Sequence, residues 1–371
     1  MNLRRIYYFT AKCLTLDNCP EYRKNIVLNF TSGEVTPLDF ITFCDHQLVL
    51  PTLYSKFKKH DLLYLFPEDL VLQWETIYLL NKKRNEGIIQ QIDDMNSALL
   101  KEGITPVYMK GSAHLLDGVY PDIGERMMSD IDFLVCEKDF QKTVDLFLDL
   151  GYSNPNQFYC QVNKLKHYPT LYKKDVTASI EIHRIPVDFE YSKQYSAKMV
   201  LDRKKTITGK TNCFVSSDNH KLTHNFIHSQ LGNKGYLFKK TPLRDLYDLY
   251  LLSQRVKPEA IISRLEEKLK AKAYFSFADK LLNLNGKLYS SNSKRVKLHC
   301  FVCDNMLIYR KTRDLYTLCV KLVQLFFVRY LGLLLHAVCE KQSREFIWKR
   351  LQDRHWYKRH LHGLKTYFRS N

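Results

Sequence analysis

Asp130 and Asp132 stand two residues apart in Ser129-Asp130-Ile131-Asp132-Phe133-Leu134-Val135, a run whose alternation suits a β-strand. Alternate strand residues share a face, so both carboxylates project the same way. Hard oxygen ligands this close repel one another unless a cation joins them. Mg²⁺ takes one or two carboxylates together with substrate phosphates. A pair of such ions can activate an attacking hydroxyl and stabilise a leaving pyrophosphate oxygen. That chemistry asks for a third carboxylate from a neighbouring strand. Glu181 in Ser179-Ile180-Glu181-Ile182-His183 supplies it, alternating with two isoleucines and sharing its face with His183. It lies about fifty residues further on, room enough for a helix and a hairpin to bring the chain back beside Asp130.

The phosphate side falls to Lys110-Gly111-Ser112. Gly111 lets the backbone approach a ligand closely, and Ser112 opens a helix whose unpaired N–H groups favour phosphate. Lys110 and Arg126 add positive charge where phosphate would sit. Each piece has an ordinary reading when alone. An isolated Asp-x-Asp strand suits a solvated or calcium-binding pair, Gly-Ser a turn or helix cap, and His183 a satisfied polar group. The ordered set is more specific: strand, Gly-Ser, helix, strand with Asp-x-Asp, helix, strand with Glu.

Lys110-Gly111-Ser112, then Arg126-Met127-Met128-Ser129-Asp130-Ile131-Asp132-Phe133-Leu134-Val135, then Ile180-Glu181-Ile182-His183 together resemble a known signature. It is that of an uncharacterised bacterial nucleotidyltransferase family within the DNA polymerase β-like superfamily. The resemblance covers residues 105–190, and extends more loosely over His224-Asn225-Phe226-Ile227-His228 and Leu243-Arg244-Asp245-Leu246. It implies a nucleotidyltransferase fold, Mg²⁺ or Mn²⁺, and an NTP such as ATP as substrate. The implied reaction moves a nucleoside monophosphate to a hydroxyl acceptor and releases pyrophosphate. On that resemblance Ser112 holds triphosphate with Gly111, Asp130 and Asp132 bridge the ions, and Glu181 binds the ion that activates the acceptor. Two departures stand out. The gap from Ser112 to Asp130 is long, which brings a loop with Asp122, Gly124 and Arg126 into the site region, and the third acid is Glu rather than the more usual Asp. The acceptor stays unnamed.

The elements that must position these residues follow from periodicity. Ile88, Ile92, Met95 and Leu99 recur at helical spacing on a run that Gly103 closes, in a first hundred residues that read as mostly helical. Thr105–Met109 suits a strand, a helix begins at Ser112, and Pro121–Gly124 is a turn. A helix is predicted over Lys138–Leu150 through Phe140, Val144, Phe147 and Leu148, stopped by Gly151. Phe158–Val162, Leu171–Lys173 and Val176–Ile185 read as antiparallel strands, and from Asn219 onward the pattern is helical, with Leu243, Leu246, Tyr247 and Tyr250 as one stripe. The expected fold is therefore α+β. With the resemblance, residues 104–200 form a polymerase β-like nucleotidyltransferase core with a mixed sheet. Around it lie a helical N-terminal region (1–103) and a basic, mainly helical C-terminal region (201–371).

Charge is distributed unevenly. The formal net charge is +18, yet residues 201–371 alone carry 34 Lys/Arg against 13 Asp/Glu, so the first 200 residues are near balance. A basic module raises the local concentration of polyanions, whether nucleic acid, nucleotide phosphate or anionic lipid, or it is simply a solvated surface. Lys341–Asn371 interleaves nine Lys/Arg with Trp348, Trp356, Tyr357, Tyr367 and Phe368. That pattern suits base stacking, or a helix packing an aromatic stripe on a core. The alternative to catalysis is thus a nucleic-acid- or partner-binding protein that retains the fold. Ten scattered cysteines and an N-terminus without a secretory pattern predict reduced thiols in the cytoplasm. Cys300 and Cys303 have metal-like spacing, read as a zinc pair or as two partly buried thiols. Leu318–Val338 is largely apolar, but Lys321, Gln324, Arg329 and His336 interrupt it. A buried helix is predicted there rather than a transmembrane segment, with loose attachment to a membrane surface as the other reading.

Overall fold

The computed structural model describes residues 3–155, 165–210 and 212–369, so the strand expected at 158–162 lies outside the described residues. The chain divides into two units, Met1–Cys303 and Asp304–Asn371.

The first unit opens with α1 (Leu3–Leu14), α2 (Pro20–Thr31), α3 (Pro37–His46) and α4 (Leu50–Lys59). Proline sits in the first turn of α2, α3 and α4, where its missing N–H costs nothing. Thr36 caps α3 by accepting the Asp39 N–H. Phe30, Phe40, Phe57, Phe66 and Trp74 pack as a ring cluster with centroids 5.0 to 6.3 Å apart, the geometry aromatic quadrupoles favour. Trp74 belongs to α5 (Glu68–Lys101), 34 residues long, which buries Ile88, Ile92, Met95 and Leu99 in the core of the αβ portion. Gly103 ends that run with φ +74°, a left-handed conformation that glycine adopts at little cost.

A five-stranded mixed sheet follows in the order β3-β2-β1-β5-β4. Its strands are β1 (Val107–Tyr108), β2 (Asp130–Leu134), β3 (Ser179–His183), β4 (Lys205–Thr206) and β5 (Phe214–Val215). β1 pairs antiparallel with β2 and parallel with β5, β2 pairs parallel with β3, and β4 pairs antiparallel with β5. Between the strands lie α6 (Lys110–Leu116), α7 (Phe140–Asp149) and α8 (Ala197–Asp202). After β5 come α9 (Asp218–Phe226), which runs into π-helical turns at Ile227–Gly232, then α10 (Gly235–Phe238) and α11 (Leu243–Ser253). α12 (Pro258–Ile262), α13 (Lys268–Leu281) and α14 (Lys294–Ile308) complete the series. The stripe Leu243, Leu246, Tyr247 and Tyr250 on α11 is buried.

Several expectations need correction. The helix after β1 starts at Lys110 rather than Ser112, because the Ala113 N–H already bonds the Met109 carbonyl. The antiparallel return of Leu171 onto Ile180 is present, as an isolated bridge with His167–His183 beside it and not as a full strand, while β3 pairs parallel with β2 on its other edge. β4 and β5 went unread, since two-residue strands are too short to show a period.

The second unit holds α15 (Arg310–Val323), π-helical turns at Gln324–Leu331, α16 (Gly332–Cys339), α17 (Lys341–Gln352) and α18 (Arg354–Arg369). The buried helix predicted at Leu318–Val338 is instead exposed. The run Lys311–Cys339 is long and apolar enough to cross a membrane by length and composition, and 12 % of its most apolar stretch is buried. Helical spacing of apolar residues announces a face but not what that face meets.

Candidate active site

The parallel register of β2 and β3 sets Asp132 directly beside Glu181 and Asp130 beside Ser179. Ile131, Phe133 and Val135 point the other way into the hydrophobic core, as do Ile180 and Ile182. A one-residue slip of either strand would turn its own apolar side chains out and its carboxylates in, so the apolar face fixes the acidic one. Asp130, Asp132 and Glu181 line one cavity of about 320 Å³ with Lys110, Gly111 and Arg126.

Lys110 reaches its place from a left-handed backbone, φ +46°, a conformation that costs a non-glycine residue energy and that recurs at functional sites. Its ammonium lies 2.5 Å from Asp132 Oδ1 and 3.6 Å from Glu181 Oε2. His183 is fully buried, and its Nε2 lies 2.9 Å from Asp132 Oδ1 and 3.5 Å from Glu181 Oε2. An ionised carboxylate only accepts, so Nε2 carries the hydrogen in this arrangement. Thr170 donates to Glu181 Oε1 at 3.2 Å, and His167 Nε2 stands 3.8 Å from Oε2. Asp132, Glu181 and His183 each offer an atom within 4.8 Å of the others, the spacing of metal ligands. Asp130 is outside that group although it faces the same cavity. The two carboxylates can hold Mg²⁺ through oxygen, and the imidazole would widen the choice towards Mn²⁺ or Zn²⁺ only once Nε2 gave up its hydrogen.

Burial alone would raise the Asp132 carboxyl, but the Lys110 ammonium and His183 overrule it and hold the group well below the usual range. Glu181 is likewise lowered: burial opposes ionisation, and the His183 hydrogen bond and Lys110 restore it. Asp130 is raised, first by burial and then by the negative charge of Asp132, with Lys110 pulling against both. Two carboxylates are thus held ionised around one ammonium and the third is left as the more basic member.

The remaining residues singled out from sequence lie close by but make other contacts. Ser112 is fully buried, and its hydroxyl accepts the Asp132 backbone N–H at 3.1 Å. Gly111 leaves room for a side chain: a Cβ there would sit 2.5 Å from Arg126 Nη1. Arg126 is buried and forks onto Asp248 of α11, Nε at 3.0 Å and Nη2 at 2.8 Å. Tyr120 donates to the same carboxylate at 2.6 Å, and His114 Nδ1 lies 3.3 Å from it. Arg126 therefore shares its charge with Asp248 at the cavity wall.

Sequence reasoning missed the far wall, where Lys166, His167, Lys221 and Asp248 line the cavity. His224, His228, Arg244 and Asp245, noticed only through the looser part of the resemblance, join them. Burial lowers His224 well below its ordinary value and takes His228 down to about 4, so both rings are neutral hydrogen-bonding groups at neutral pH. The His224–His228 spacing of one helical turn was the available signal. Asp248 carried none, because its partner Arg126 lies 122 residues away.

No curated protein matches the chain. The model of a family described as uncharacterised nucleotidyltransferase does match it, over residues 34–290, which takes in α3 through α13 and every site residue named above. With that match covering well over half the sequence and the acidic cluster lying inside it, the chain belongs to this nucleotidyltransferase family.

Proposed function

We propose that this protein transfers a nucleoside monophosphate from an NTP to a hydroxyl acceptor and releases pyrophosphate, with a divalent metal at its acidic cluster. The observation that carries the reading is the parallel pairing of Asp132 with Glu181, with Asp130 on the same face of the same cavity. The donor set fits the ion. Its carboxylates are held ionised, their ligand atoms already converge, and a cation, Lys110, is what they draw in.

Asp132 and Glu181 would hold the metal, with Asp130 completing the acidic face and His183 orienting both partners through Nε2. A bound divalent ion there supplies charge neutralisation and polarises a phosphoryl oxygen. The acceptor oxygen forms the new bond to the α-phosphorus as the bond to pyrophosphate breaks, and the hydroxyl's proton passes to Asp130, the most basic of the three carboxylates, and from there to water. Lys110 balances carboxylate charge in this structure and offers the same ammonium to phosphate oxygens in the cavity. Gly111 keeps the wall low enough for Arg126 to stand behind it. Ser112 acts through Asp132, by fixing the backbone from which that carboxylate projects.

Incubation with each α-labelled NTP and Mg²⁺ or Mn²⁺ tests the reading, with label transfer to protein, RNA or small hydroxyl acceptors as the readout. Transfer should need metal and vanish in Asp132→Asn and Glu181→Gln, whose folded state circular dichroism would verify. If wild type binds metal and nucleotide no better than these variants in calorimetry, the proposal fails.

A further inference from the structure

We infer that residues 304–371 form a membrane-docking module that lies in the surface of an anionic phospholipid bilayer. Two independent features meet there. These residues carry 14 Lys/Arg against 5 Asp/Glu, and the run Lys311–Cys339 passes through them almost unburied. Leu315, Leu318, Phe326, Phe327, Leu334 and Val338 are all exposed.

The helical phase gathers these side chains on one face. At about 100° per residue, positions 315, 318, 322 and 326 form a stripe. In an unbroken α-helix positions 334 and 338 would fall well off it. The π-helical turns at Gln324–Leu331 hold more residues per turn and bring them back into line. By the same phase Lys321, Gln324 and His336 fall on the other side, so α15 is clearly amphipathic while α16 is apolar on most of its surface. Beside it lies α18, joined through the Tyr330 hydroxyl to His360 Nε2 at 2.6 Å, with Trp356 stacked on His360 at 4.4 Å. Crossing the bilayer would carry α18 and its Lys358, Arg359 and His360 into hydrocarbon, which favours a helix lying in the plane of the interface.

Charge complementarity selects the occupant. An apolar stripe bordered by lysine and arginine matches acyl chains below anionic headgroups. A nucleic acid would use the basic helices α17 and α18 and leave the stripe in water. A second copy of the chain would cover the stripe but bring two strongly basic units together.

The test is sedimentation of the full-length protein with vesicles of phosphatidylcholine alone or mixed with phosphatidylglycerol. We expect salt-sensitive binding to the mixed vesicles, reduced at least about tenfold in Phe327→Glu/Leu334→Glu. Lys349→Glu/Lys358→Glu should lose the preference for phosphatidylglycerol. Circular dichroism of both variants reports the fold, and a Phe327→Trp chain should show a blue-shifted emission on the mixed vesicles. Wild-type vesicle binding by the apolar double variant overturns the inference. A tRNA shift in a protein that ignores vesicles overturns it, as does a concentration-dependent dimer that the apolar substitutions abolish.

Discussion

Lys110 sits where the acidic cluster most needs positive charge, 2.5 Å from Asp132 and 3.6 Å from Glu181. On the proposed function, a divalent ion at those oxygens would compete with that ammonium. Lys110→Met should therefore tighten Mn²⁺ binding by about tenfold, roughly 1.4 kcal/mol, while slowing nucleotide transfer. Calorimetric titration decides it: weaker or unchanged Mn²⁺ affinity would contradict the role given to Lys110. Glu125 poses the opposite problem, a buried carboxyl whose Oε2 has no hydrogen-bond partner. Burial pushes it from 4.5 up to about 7. A folded-state value above the unfolded one means the protonated form favours folding. Its contribution is therefore complete below about 4.5 and is lost as pH rises through about 7. Glu125→Gln should stabilise the protein at pH 8 by up to about 3 kcal/mol and hardly at all at pH 5. Melting temperatures at the two pH values check this, and an equal shift at both would refute it.

At the scale of elements, the loop between α6 and β2 is held from two sides. Asn81 and Asn85 of α5 donate to the carbonyls of Ile123, Gly124 and Arg126, and Asp248 of α11 receives the Arg126 guanidinium. Asp248→Asn leaves that guanidinium buried without its counter-charge, a change that costs about 3–5 kcal/mol. Gly111→Ala should weaken the same clamp by displacing Nη1, so its effect in urea unfolding should shrink in the Asp248→Asn background. Strict additivity would mean that Gly111 and the clamp are unrelated. These contacts also mark the limit of what the sequence could tell. Period-two alternation placed Asp130, Asp132 and Glu181 on one acidic face, and period 3.6 found the buried stripes of α5 and α11. Neither period reveals that β3 runs parallel to β2, that Lys110 takes a positive φ, or that Arg126 meets Asp248 across 122 residues. Such features arise from long-range packing, and local pattern carries no trace of them.

For the whole molecule, core and charge are divided differently along the chain. The core that supports the acidic strands runs from Ile88 to Val215, and the helices after it bury apolar residues through Val296 and Cys303, with Leu325 the one buried apolar side chain beyond them among the described residues. Beyond Ile308 the chain carries 14 Lys/Arg against 4 Asp/Glu, and its largest apolar side chains are mostly exposed. The apolar burial that stabilises the catalytic unit is therefore nearly all made before α15 begins. A chain ending at Ile308 should unfold cooperatively within a few degrees of the full-length melting temperature, since about 1 kcal/mol shifts a large domain by roughly 2–4 °C. It should also keep its Mn²⁺ affinity, because every cavity residue precedes the cut. Calorimetry on the two proteins side by side measures both quantities. A shortened chain that melts broadly, or that loses the metal site, would show that the basic helices support the catalytic fold and do not simply extend it.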